Sequence, residues 1–183
     1  ALAAADSGFA VILHQPMEAL DSSKDPGPGA ITAEMPETEI RTTIEDNLTR
    51  VPGAIGVNNH MGSKVTEDSV AIEIVLSEVF SRGLIFIDSR TSSKSVVAQV
   101  AAAMGASVLE NSTFLDGVNT EDYIIEQIRS AAKKAHSRGS AVAIGHVRPA
   151  TVRALQRMLP ELDASGLTLV TVDKLAHRQE ELQ

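Results

Sequence analysis

Thr66-Glu-Asp-Ser-Val-Ala-Ile-Glu-Ile-Val-Leu-Ser-Glu-Val-Phe-Ser-Arg-Gly83 runs directly into Leu84-Ile-Phe-Ile87-Asp88. The first part reads as a helix. Thr66-Glu-Asp68 supplies its cap, Val70, Ile74, Leu76 and Val79 its apolar positions, and Gly83 its stop. The second part is a continuous apolar run without the alternation of a half-exposed strand. Such a strand is covered on both faces, as in a parallel sheet flanked by helices. The same unit recurs outward in both directions. Strands are expected at 9–13, 54–57, 107–109, 141–144 and 167–172. Helices are expected from near Pro36 to before Val51, over 95–104, over 120–138 and from Pro149 onward. Six strands alternating with five helices make the chain α/β, and no boundary divides residues 1–183 into separate domains.

Composition narrows the function classes. Sixteen Lys+Arg against twenty-four Asp+Glu leave a net charge of -8, the wrong sign for a surface that neutralises phosphates, so nucleic acid is not an expected partner. The absence of cysteine removes disulfides, thiol nucleophiles and thiolate zinc sites. One Tyr, four Phe and no Trp leave little material for aromatic stacking on bases or sugars. No apolar run reaches the ~20 residues of a membrane span. Ala1 to Gly8 reads as the last turn of a helix with its closing glycine, from which a preceding segment is expected to be missing.

Polar residues cluster where a parallel α/β protein places its ligand site, at the C-terminal ends of strands. His14 follows the first expected strand, Asn58-Asn59-His60 the second, and Asp88 with Arg90 the third. Glu110 and Asn111 follow the fourth, His146 the fifth and Asp173 the sixth. In His14-Gln-Pro-Met-Glu18 an imidazole and a carboxylate lie four residues apart, donors that suit zinc or a similar divalent metal. His60 is a further candidate ligand, with Asn59 holding an imidazole tautomer. Asp88 and Arg90 read either as an ion pair beside a serine-rich helix cap or as catalytic groups, Asp88 orienting a histidine and Arg90 facing developing negative charge. His146, in Ile144-Gly-His-Val-Arg148, is a candidate general acid. His136 and His177 read as solvated.

The motifs Val11-Ile-Leu-His14-Gln-Pro-Met-Glu18, Pro26-Gly-Pro-Gly29, Gly56-Val-Asn-Asn-His60-Met-Gly-Ser-Lys64, Phe86-Ile-Asp-Ser89 and Ala143-Ile-Gly-His146-Val resemble those of the divergent polysaccharide deacetylases, relatives of the NodB-type chitooligosaccharide deacetylases. The resemblance runs from Gly8 to about Leu175. It implies a distorted (β/α) barrel whose N-terminal strand or strands precede this chain. It also implies a divalent metal, typically zinc, and hydrolysis of N-acetyl groups on a polysaccharide in the periplasm or cell envelope. Carried over by residue, it gives His14 and His60 as metal ligands. Glu18 stands where the superfamily has a second histidine, and His146 stands at the general acid. The base is either an Asp upstream of Ala1 or Asp88, held by Arg90. A non-catalytic glycan- or envelope-associated protein with a vestigial site is the alternative. The metal reading requires His14 and His60 on one face of the sheet, with Glu18 aimed at the same point or bonded to one ring.

Overall fold

The computed structural model describes residues 1–180. Its elements are α1 (Leu2–Asp6), β1 (Ile12–Met17), α2 (Glu37–Thr49), β2 (Gly56–Met61), a 3-10 turn (Val65–Glu67), α3 (Ser69–Ser81) and β3 (Ile85–Asp88). There follow α4 (Val97–Ala103), β4 (Leu109–Phe114), α5 (Glu121–Arg138), β5 (Val142–Ile144), α6 (Pro149–Ala164) and α7 (Val172–Glu180). Five strands, each parallel to the next, and seven helices are thus present among the described residues. The class is α/β, as the continuous apolar runs require. Packing divides the chain into two compact units, one of residues 1–110 with 171 onward, the other of residues 111–170.

In the first unit β1 pairs with β2, β2 with β3 and β3 with the start of β4. One face of this sheet carries Leu13, Met17, Val57 and Phe86. They pack with Ile40 and Ile44 of α2, Ile72, Val75, Leu76 and Val79 of α3, and Val97 and Ala101 of α4. Helix α3 begins where its sequence dictates, the Asp68 side chain accepting from the N–H groups of Val70 and Ala71 and so satisfying two donors left open by the first turn. Pro16 lies inside β1 without disturbing it. Its carbonyl accepts from Ile31 N–H on the side away from β2, so its missing N–H belongs to the outer edge, the position proline tolerates in a sheet. The second unit is simpler. The remainder of β4 pairs with β5, and Leu115, Ile124, Ile125, Ile128, Ala154, Met158 and Leu162 form its core. Helix α5 ends at Gly139, left-handed at φ 84, the conformation glycine adopts without strain.

Several expected boundaries move. β1, β2 and β4 each start later and run farther than the apolar residues suggest, so His14, Asn58, Asn59, His60, Glu110 and Asn111 lie inside strands rather than after them. Main-chain pairing continues for as long as the polar side chains find partners of their own, and apolarity marks only the part that is also packed. The expected strand at 167–172 does not form. Residues 167–171 are irregular, with Leu169 62% exposed, and α7 takes over at Val172. There Asp173 in the first turn and His177 and Arg178 in the last match the helix dipole. Asp173 is therefore a helix-start residue, not a strand-end one.

Candidate functional site

His14 and Asn58 are register partners across β1 and β2, and His60 lies two residues beyond Asn58. With a side-chain period of two, all three occupy the same face, opposite the core. The His14 ring is engaged at both nitrogens. Nδ1 lies 2.6 Å from Asn58 Oδ1, and Nε2 lies 3.0 Å from His60 Nδ1. The rings meet edge to face, their centroids 4.8 Å apart at 65°. Asn58 is itself buried and tied to β3, its Nδ2 donating to Ile87 O at 3.0 Å and to Ser89 Oγ at 2.6 Å. The partner of the imidazole is therefore Asn58 and not Asn59. Asn59 points to the other face, where it accepts from Ser89 N–H and donates to Met61 O. Parity with His60, which selects 58 over 59, was the signal in the sequence.

Two imidazole nitrogens each ~2.0–2.1 Å from one tetrahedral zinc ion lie roughly 3.3 Å apart; His14 Nε2 and His60 Nδ1 stand 3.0 Å apart, at hydrogen-bond distance and a few tenths of an ångström short of that spacing. His14 and His60 are the residues that would hold such an ion. Glu18 is engaged elsewhere. One oxygen takes a 2.8 Å ion pair from Lys64 and the other accepts from Ala33 N–H at 3.0 Å. The hydrogen bond from Lys64 lowers its carboxyl below the ordinary range; burial opposes this, and Ala33 N–H and the Lys64 charge add to the lowering. Glu18 thereby joins the segment after β1 to the one after β2, together with Leu20 N–H, which donates to Ser63 Oγ. Among the described residues no group of three or more His, Asp or Glu converges on a metal position.

Asp88 and Arg90 have structural duties. Asp88 is fully buried, with one oxygen accepting from the Arg90 main-chain N–H at 2.7 Å and the other from Ser95 Oγ at 2.6 Å. It stands in register with Glu110 and one residue on from Ile87, which is in register with Asn58. Asp88 therefore points away from the histidine face. The Arg90 guanidinium does not hold Asp88 but reaches Glu110 at 3.3 Å. The two residues shape the turn between β3 and α4, in which Arg90 adopts a left-handed φ of 55.

In the second unit His146 follows β5, as expected, and meets a residue absent from the sequence-based candidates. Asp116, 2% exposed at its side chain, accepts from His146 main-chain N–H at 2.9 Å and from its ring Nδ1 at 3.0 Å. The His146 side chain is 65% exposed, so its Nε2 edge is left toward solvent. Arg148 stands 3.7 Å from the same carboxylate, and Thr151 Oγ1 donates to it at 3.4 Å. Burial pushes the Asp116 carboxyl up. The hydrogen bonds from the His146 ring and main chain, with the charges of His146 and Arg148, outweigh burial and hold it below the usual range. Asp116 went unread because β4 extends to Phe114, five residues past its last expected one. Leu115-Asp-Gly117 then occupies the strand-end position that marks a site elsewhere in the chain.

A profile of divergent polysaccharide deacetylases matches residues 1–176. The uncharacterized protein YibQ of Escherichia coli K12 is 37% identical over 171 residues, which are 93% of this chain and 53% of that protein. An uncharacterized protein of Haemophilus influenzae Rd is 34% identical over 161 residues, 86% of this chain and 57% of that one. The chain thus spans about half the length of the curated relatives it matches. The crystal structure of an uncharacterized protein from Agrobacterium tumefaciens C58 superposes with a TM-score of 0.89 at 24% identity, covering 94% of this chain and 70% of that one, a likeness of fold. With the profile covering all but the last few residues, the chain belongs to the divergent polysaccharide deacetylase family.

Proposed function

We propose that the protein is a metal-dependent hydrolase that removes N-acetyl groups from a polysaccharide. The observation that carries this reading is the His14–His60 pair, set on one face of adjacent strands with nitrogens 3.0 Å apart, His14 exposed and His60 partly so. A divalent metal, zinc by preference for two imidazoles, supplies polarisation of an acyl oxygen when bound. In the second unit, taken by itself, Asp116 accepts from His146 Nδ1 and the exposed ring leaves Nε2 free to donate, the arrangement of a general acid, which is the role the family resemblance gives His146. The reading includes a distorted (β/α) barrel and a reaction in the periplasm or cell envelope, both as the resemblance to NodB-type deacetylases implies them. A second reading, a non-catalytic glycan- or envelope-associated protein, draws on the engagement of Glu18 by Lys64 and Ala33. Acetate release from N-acetylated oligosaccharides, measured with and without added zinc, separates the two. Zinc-dependent release that falls at least ~100-fold in His14→Ala and His60→Ala is expected. Glycan binding without release, unchanged in both variants, would establish the second reading.

A further inference from the structure

The two imidazoles are chemically unequal, and β3 makes them so. Asn58 Nδ2 faces two groups, Ile87 O and Ser89 Oγ. A carbonyl only accepts. The hydroxyl of Ser89 donates its single proton to Asn59 O at 2.7 Å, so toward Asn58 it also accepts. An amide NH2 is the only end of Asn58 that satisfies both, which fixes the orientation of the side chain. Its Oδ1, an acceptor without a proton, is then what stands 2.6 Å from His14 Nδ1. Nδ1 must carry the proton, and the neutral ring presents its lone pair at Nε2. His60 Nδ1, 3.0 Å from that lone pair, is in turn the donor.

We infer that Asn58 is a positioning residue that locks His14 in the Nδ1–H tautomer, making it a ready-formed metal ligand, while His60 must exchange its Nδ1 proton for the metal by shifting to the Nε2–H form. Asn58 acts through His14, and Ile87 O and Ser89 act through Asn58. The inference rests on the proposed metal site for its purpose, but the tautomer is a property of the metal-free chain and is tested there.

Long-range proton–nitrogen spectra of the metal-free protein, recorded at pH 8.5, above the ordinary imidazole range of ~6.5, report which ring nitrogen is protonated. The expected result is protonated Nδ1 in both His14 and His60. In Asn58→Leu the His14 ring should relax to a mixture of tautomers. In Asn58→Asp, whose carboxylate still accepts from Nδ1–H, it should remain as in the parent. On adding zinc, His14 should keep its Nδ1 proton while His60 moves its proton to Nε2. Zinc affinity should drop about 10–100-fold in Asn58→Leu and by less than that in Asn58→Asp. A parent spectrum with His14 protonated at Nε2, or an unaltered His14 tautomer in Asn58→Leu, overturns the assignment, and the parent spectrum decides it even where a variant does not fold. A parent chain that binds no zinc removes the hydrolase reading, while the tautomer spectrum still decides the role of Asn58.

Discussion

Asp116 illustrates how much one buried side chain settles. Its carboxylate collects a main-chain N–H, an imidazole and a threonine hydroxyl, with Arg148 nearby. A buried carboxylate is costly unless its lone pairs are filled, and here they are. The consequence is a pH dependence with a definite sign. The folded carboxyl is held below its usual value, so on acidification the unfolded chain takes up the proton first, near ~3.9. Stability conferred by Asp116 is full above that pH and is lost as pH falls through the lower, folded value. Asp116→Asn, which keeps an acceptor for Nδ1–H but no charge, should therefore cost stability at pH 6 and lose less on going to pH 3. Urea midpoints of parent and variant at the two pH values measure this. Parallel loss in both would show that the His146–Asp116 bond adds nothing to acid sensitivity.

The elements show which signals in the chain were physical and which only coincided with structure. Helix ends were legible, because capping is local chemistry: Asp68 caps α3, Pro149 opens α6 and Gly139 closes α5. Strand ends were not. The sequence marks where apolar packing stops, whereas β2 continues through Asn58, Asn59 and His60, whose side chains are held by hydrogen bonds rather than by apolar packing. The same blind spot hid Asp116 beyond β4 and promoted residues 167–172 to a strand. The candidate metal pair was legible as two histidines; its organisation by Asn58 and β3 was not, since it depends on register. Gly56 tests that register. A Cβ there would lie 2.5 Å from Ile85 Cγ1 and 2.8 Å from Ile85 O, and the oxygen is main chain in the paired strand, with no freedom to turn aside. Gly56→Ala should push β2 from β3 and cost roughly 1–3 kcal/mol, read as a lower urea midpoint. A midpoint equal to that of the parent would mean the two strands can part without penalty.

At the scale of the whole chain the dominant quantity is charge. A net charge of -8 has little effect on a neutral N-acetylated glycan, but the proposed reaction changes the ligand. Each amide hydrolysed leaves an amine that takes up a proton, so the product becomes progressively cationic while the protein stays anionic. Long-range attraction of this kind is screened over about 10 Å at 0.1 M salt and over about 30 Å at 0.01 M, and it acts on the product alone. Deacetylated oligomers should consequently bind more tightly than their acetylated parents at 10 mM salt, by roughly tenfold, and the difference should shrink at 200 mM. Turnover should show product inhibition that salt relieves. Calorimetric titration of both oligomers at the two salt concentrations checks this directly. Equal salt dependence for the acetylated and deacetylated forms would place the glycan contacts away from the acidic surface and remove charge as a factor in product release.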